Sequence, residues 1–208
     1  MTVALTASGL RKTFNRRMIF DGVTFEARSG NTVLISGKNG SGKSTLVKLL
    51  TRVLTPSAGA IALSAEGCVI PEIHWPLHVG LVSPYMQVYD EFSARENLDL
   101  ALTLRGLPPD AARVAELLDD VGLTDRSDDP LRTFSSGMKQ RIKLAFALIH
   151  NPAVLFLDEP MTNLDAAGIA LVRRVMQRQR EQGILVVATN DQTDVDAFET
   201  KVDLDARP

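Results

Sequence analysis

One stretch limits what this chain can fold into more than any other: Gly37-Lys38-Asn39-Gly40-Ser41-Gly42-Lys43-Ser44-Thr45. It reads G-x-x-x-x-G-K-[ST], a loop whose backbone amides wrap phosphate groups. The flanks fit that use. Thr32-Val33-Leu34-Ile35 is an apolar run of strand length, and Leu46-Val47-Lys48-Leu49-Leu50 opens a helical pattern. Strand, glycine-rich loop and helix are the arrangement the chemistry needs. Glycines let the backbone approach phosphate oxygens closely, and successive N–H groups with the helix N-terminus supply positive potential. Lys43 is placed to reach the β- and γ-phosphates, and the Ser44 hydroxyl to bind Mg²⁺. Gly37, Asn39, Gly40, Ser41, Gly42 and Thr45 complete the candidate phosphate-binding set.

The 208 residues suffice for one core plus a small subdomain, and 45% hydrophobic with 23% charged residues is an ordinary globular balance. A net charge of −2 gives no bulk attraction to nucleic acid or to an anionic membrane surface. The single cysteine, Cys68, excludes an internal disulfide and fits a reducing compartment. No signal-peptide pattern is expected at the N-terminus, where Val3-Ala4-Leu5 reads as an edge strand. No apolar stretch approaches the roughly 20 residues that span a bilayer, so a membrane role requires a partner.

Residues 1–35 alternate short apolar segments with turn signals at Asn15-Arg16-Arg17, Asp21-Gly22 and Ser29-Gly30-Asn31, which predicts a small antiparallel β region. Thr55-Pro56-Ser57-Ala58-Gly59 ends the loop's helix, and strands are expected at 61–63, 68–70 and 79–82. The pattern then turns helical over 94–104, 111–121 and 137–149, marking an inserted helical subdomain at about 85–149. A strand at 154–157, a helix at 166–182 and strands at 184–188 and 202–204 follow. The alternation predicts one α/β domain over 1–208, with a mostly parallel sheet covered on both faces.

A second constellation closes the strand at 154–157: Leu157-Asp158-Glu159-Pro160. In a parallel sheet the strand's C-terminal end faces the ligand crevice. Asp158 there is suited to hold Mg²⁺, and Glu159 to orient or deprotonate an attacking water. Two acids at a strand end also cap helices; the phosphate loop upstream favours the chemical role.

With both constellations in place the chain resembles the ATP-binding subunits of ATP-binding cassette (ABC) transporters over essentially its whole length. The segment that separates this family from other phosphate-loop ATPases is Ser135-Ser136-Gly137-Met138-Lys139-Gln140-Arg141, similar to the signature usually written L-S-G-G-Q. Ser135 can cap a helix whose N–H groups, with Gly137, bind a phosphate. The resemblance implies that this phosphate belongs to ATP on a second ATP-binding subunit, identical or not, in a head-to-tail dimer. It also implies that Phe14 stacks on adenine. Thr162-Asn163-Leu164-Asp165 resembles the loop, usually S-A-L-D, that communicates between subunits, and places Asp165 at the nucleotide. Residues 89–98 resemble the segment lying near the membrane partner.

Three positions depart from the family pattern. The glutamine expected after the strand at 79–82 falls at Pro84, leaving Gln87 as a substitute toward Mg²⁺ and water. The signature carries Ser136, Met138 and Lys139. The histidine expected after the strand at 184–188 is replaced by Asn190, in Thr189-Asn190-Asp191. Asn donates a hydrogen bond but carries no exchangeable catalytic proton. Losing a preorganised donor costs about 2.7–4 kcal/mol of transition-state stabilisation, and keeping one costs less, so slow but real hydrolysis is expected. His74, His78 and His150 lack metal-ligand spacing and read as structural or surface residues.

The resemblance therefore implies an ATPase that powers a separate transmembrane permease, works with Mg²⁺, lies on the cytoplasmic face of the membrane and is of the small exporter type. The alternative is a soluble ABC ATPase acting on ribosomes, DNA or iron–sulfur assembly. A single cassette without sustained heptads and near-neutral charge argue against it and against nucleic acid. A small-molecule kinase is disfavoured by the signature.

Overall fold

A computed structural model describes residues 2–162, 164–190 and 198–205. Asn163 and Asp191, both in the motif segments above, lie outside the described residues. The chain runs β1 (Val3–Phe14), β2 (Arg17–Arg28), β3 (Thr32–Ser36), α1 (Lys43–Leu50), β4 (Ala58–Ala65) and β5 (Cys68–Val69). After a 3₁₀ turn at Glu72–Leu77 come β6 (Val79–Val82), α2 (Ala94–Thr103), α3 (Ala111–Asp120) and α4 (Ser136–Leu148). It closes with β7 (Val154–Asp158), α5 (Ala166–Gln182), β8 (Ile184–Ala188) and β9 (Thr200–Asp203).

Two sheets result. A parallel sheet has the order β6-β7-β8-β3-β9, and an antiparallel sheet the order β2-β1-β4-β5. The α/β expectation holds, and three local expectations are corrected. The N-terminal strand is not an edge: β1 pairs with β2 on one side and β4 on the other. Asp21-Gly22 makes no turn. It sits within β2, where a register shift between Leu10↔Val23 and Lys12↔Phe20 absorbs the extra length and Asp21 pairs with Arg11 at 2.7 Å. Ala58 and Gly59 belong to β4 rather than to the end of the helix. A Cβ on Gly59 would lie 2.4 Å from the Gly9 carbonyl, so this glycine is what allows β4 to close on β1. The hairpin turn is Asn15-Arg16, both at positive φ (45° and 69°), which matches the twist of two-residue hairpins.

Strand alternation explains why there are two cores. In β7, Leu155 and Leu157 face a cluster with α2, α3, α4 and α5, whereas Val154 and Phe156 face a cluster with α1 and the antiparallel sheet. β8 divides in the same way, Leu185 and Val187 against Ile184, Val186 and Ala188. All ten residues of these two strands are buried, as a parallel sheet covered on both faces demands. Because β3, β6, β7 and β8 run parallel, the residues that follow them emerge along one edge.

Candidate phosphate-binding and hydrolytic site

Along that edge the loop after β3 carries Gly37, Gly40 and Gly42 at φ of 146°, 84° and 108°. The backbone there excludes side chains on two counts. A Cβ on Gly37 would lie 2.5 Å from Ser41 Oγ, and one on Gly42 2.5 Å from Ile19 Cγ2. Gly42 is also the N-cap of α1 and supplies no side-chain cap. The other four α-helices among the described residues each receive one, from Ser93, Asp110, Ser135 and Asp165. The amides of the first turn of α1 are thus left for an anion. Lys43, 6% exposed, donates from Nζ to the carbonyls of Gly37 (2.8 Å) and Lys38 (3.2 Å) and lies 3.6 Å from Glu159 Oε1.

Asp158 ends β7 in burial, 1% exposed. Burial raises its pKa, while hydrogen bonds from the Ser44 and Ser83 hydroxyls work in the opposite direction. Its Oδ1 is buried without a hydrogen-bond partner among the described residues, as is Ser41 Oγ. An all-oxygen pair, the Ser44 hydroxyl and the orphaned Asp158 Oδ1, fits a hard divalent cation such as Mg²⁺. Glu159 follows in the left-handed region, φ 50°. A non-glycine residue held there costs on the order of 1–3 kcal/mol and persists where surrounding contacts impose it. Its N–H donates to Ala188 O (2.8 Å), and Thr189 Oγ1 donates to its Oε2 (3.2 Å). This turn aims the carboxylate away from the strand and toward Lys43.

Glu159 also borders a cleft of about 270 Å³ with Gln87, Thr162, Ser136, Lys139 and Lys143. Gln87 therefore shares a cleft with Glu159, whereas the Ser83 hydroxyl meets Asp158. A second cleft, of about 370 Å³, lies on the other side of the loop, where Asn190 Nδ2 donates to Asn39 Oδ1 at 3.2 Å.

The sequence and the fold have counterparts in known proteins. The family model described as ABC transporter matches residues 20–162, more than half of the chain. The chain belongs to the ABC transporter family. It is 37% identical to the daunorubicin resistance ATP-binding protein DrrA3 of Streptomyces coeruleorubidus over 81% of this chain and 54% of that protein. To the linearmycin resistance ATP-binding protein LnrL of Bacillus subtilis it is 29% identical over 98% of this chain and 71% of the relative. It thus spans little more than half of DrrA3 and about two thirds of LnrL. A putative ABC transporter ATP-binding protein from Pyrococcus furiosus superposes with a TM-score of 0.82 at 22% identity, covering 97% and 98% of the two chains. That last likeness speaks for the fold.

Within the ABC framework, the signature segment forms the start of α4. Ser135 is its N-cap and accepts from the Met138 N–H (3.2 Å), with Gly137 in the first turn. Asp165 caps α5 by accepting from the Gly168 N–H at 2.7 Å, and that bond, before the nearby Arg141, holds its carboxyl below the usual range. Arg141 of α4 meets Asp165 at 3.3 Å, so the signature helix and the loop after Glu159 are tied directly. Ser136, next to the cap, lines the Glu159 cleft, whose lining includes neither Ser135 nor Asp165. Phe14 stands at the hairpin tip, 43% exposed, with the Lys12 ammonium 4.7 Å from its ring centroid. His150 is structural, its Nε2 against Val79 O at 3.1 Å.

Three residues at the site carried no sequence signal: Ser83, Thr189 and Asp205. Asp205 Oδ2 accepts from the Lys38 N–H at 2.9 Å, pinning the entrance of the loop. Each reaches the site through strand register. A serine or aspartate at a strand end has no motif of its own.

Proposed function

We propose that this chain is the ATP-binding, ATP-hydrolysing part of an ABC export system, acting as one domain over residues 1–208 with the helices of 85–149 as an inserted subdomain. The observation that carries the reading is the meeting of Lys43, Asp158 and Glu159 at one sheet edge, Lys43 Nζ lying 3.6 Å from Glu159. Lys43 rests on loop carbonyls and Glu159. The γ-phosphate takes that cation over, and Glu159 is freed to orient or deprotonate water, held by Thr189. The amides of Gly37–Thr45 and the open start of α1 receive the phosphate oxygens, with Asn39, Gly40 and Ser41 shaping the loop. Ser44 and Asp158, with Gln87 at the water side, would hold Mg²⁺, which when bound neutralises phosphate charge as it develops. Asn190 supplies a hydrogen-bond donor beside Asn39. Phe14 offers an exposed face to adenine.

The start of α4, with Ser135 and Gly137, and Asp165 are assigned to ATP of a second subunit, homo- or heterodimeric. A transmembrane permease is the further partner, and no helix among the described residues is long and apolar enough to cross a membrane. Relatives named for daunorubicin, linearmycin and lantibiotic systems support an export role. The chain would then work at the cytoplasmic face of the membrane. The test uses Glu159→Gln with ATP and Mg²⁺ as bait in mild detergent from the native host. Recovery of a multi-span membrane protein, with ATP bound but not hydrolysed, is expected. Recovery of ribosomes or of soluble proteins alone would overturn the transport assignment.

A further inference from the structure

We propose that Ser83 is a positioning residue for the cation site, acting through Asp158 in the place where Pro84 offers no donor. This rests on the ATP·Mg²⁺ reading above. The placement follows from register. β6 and β7 pair in parallel with Val82 opposite Leu157, so the next residues, Ser83 and Asp158, leave adjacent strands side by side. Ser83 is 5% exposed, and its Oγ donates to Asp158 Oδ2 at 3.5 Å. The same Oγ accepts the Tyr85 N–H at 3.3 Å. A hydroxyl that accepts from the backbone on one side is turned to donate on the other.

Asp158 is thereby held at Oδ2 by the Ser83 hydroxyl, and among the described residues its Oδ1 is buried without a hydrogen-bond partner. That is the arrangement expected of a ligating carboxylate: one oxygen held, one presented. Partners of this kind fix a ligand's orientation, and their loss typically costs about 10–100-fold in metal affinity. The segment carrying Ser83 is itself anchored to α1, because the Lys48 ammonium lies 4.1 Å from the Tyr85 ring centroid. Gln87 has left this position for the Glu159 cleft, so Ser83 is the polar side chain this segment offers to Asp158. A role confined to the turn explains the Tyr85 contact. It does not explain a buried hydroxyl turned toward the acid.

The experiment measures binding of a fluorescent ATP analogue to the full chain with Mg²⁺ and with EDTA. Wild type should bind more tightly with Mg²⁺. Ser83→Ala should lose about tenfold of that gain, with the loss confined to the Mg²⁺-dependent part. Ser83→Thr, which keeps the hydroxyl, should retain the gain. In an Asp158→Asn background Ser83→Ala should have no further effect. Equal weakening with and without Mg²⁺, or a full loss on top of Asp158→Asn, would reduce Ser83 to a turn residue and overturn the proposal. An unchanged Mg²⁺ gain in Ser83→Ala overturns it as well. Absence of any Mg²⁺ gain in wild type would instead remove the ATP·Mg²⁺ reading beneath it.

Discussion

Two helix N-termini face the proposed chemistry, and they are built in opposite ways. α1 starts at Gly42, which has no side chain and leaves the first-turn amides free of a side-chain cap. α4 starts at Ser135, whose hydroxyl already takes the Met138 N–H. One end is ready for an anion and is surrounded within the same chain by Lys43, Asp158 and Glu159. The other is internally satisfied and tied to α5 through Arg141 and Asp165. The start of α1 is thus open to an anion, while the start of α4 is already capped and, through Ser136, borders the cleft that Glu159 also lines.

The largest effects should fall on the α1 end and the acids beside it. Glu159→Gln should lower kcat by about 10²–10⁴-fold, the range for general-base loss, with ATP binding retained; wild-type phosphate release from this variant would remove Glu159 from the catalytic role. Lys43→Ala should abolish most ATP binding by the isolated chain, read by equilibrium binding. Gly42→Ala forces a side chain to φ 108° and onto Ile19. It should cost on the order of 1–3 kcal/mol in stability, together with ATP affinity, and a well-folded variant with normal affinity would show the loop to be more compliant than drawn.

His150 lies just beyond α4 and probes that layer separately. Burial, reinforced by Arg105 and His78, lowers its pKa to about 4. A depressed histidine means that the unfolded chain binds more protons between about pH 6.5 and pH 4, so stability rises with pH across that window and is lost as pH falls through it. A shift of this size corresponds to about 3 kcal/mol. Thermal unfolding from pH 7.5 to 5 should show the loss, and His150→Gln, which keeps a donor for Val79 O, should flatten it. An unchanged profile in the variant would assign the acid sensitivity elsewhere.

Smaller effects separate the two helix ends most sharply. Asn190→Ala removes the bond to Asn39 and should slow hydrolysis far less than Glu159→Gln, since one neutral hydrogen bond is worth about 0.5–1.5 kcal/mol. Ser135→Ala should reduce stability by about 1 kcal/mol, the usual cost of losing an N-cap, and leave ATP binding by the single chain unaltered. Loss of that binding would mean that the α4 end belongs to the same half-site as Lys43, and the comparison would collapse.

The phosphate loop was legible in the sequence because its demands are local. Positive φ requires glycine, and the lysine and serine stand at fixed offsets within one turn of chain. The same holds for the strand ending in Asp158-Glu159, for α5, found at the expected residues 166–182, and for the Ser135 cap. The misreadings at Val3–Leu5, Asp21-Gly22 and Ala58-Gly59 share a different cause. Whether a strand is edge or interior, and whether a glycine turns the chain or lets two strands close, depends on which partner lies alongside, and β1 and β4 are far apart in sequence. Phe14 shows a further limit: a lone aromatic after Lys12-Thr13 reads as a core residue as readily as an exposed one, and its exposure at a hairpin tip comes from the fold.

Sequence alone determined a glycine-rich loop between a strand and a helix, with two acids at the end of a second strand, because steric and hydrogen-bonding requirements within a few residues leave few other uses for those letters. The tertiary structure decided how the acids are held: Glu159 turned into the left-handed region toward Lys43, and Asp158 set beside Ser83 across 75 residues of chain. Strand register makes that second neighbourhood, and register is a property of the folded sheet as a whole.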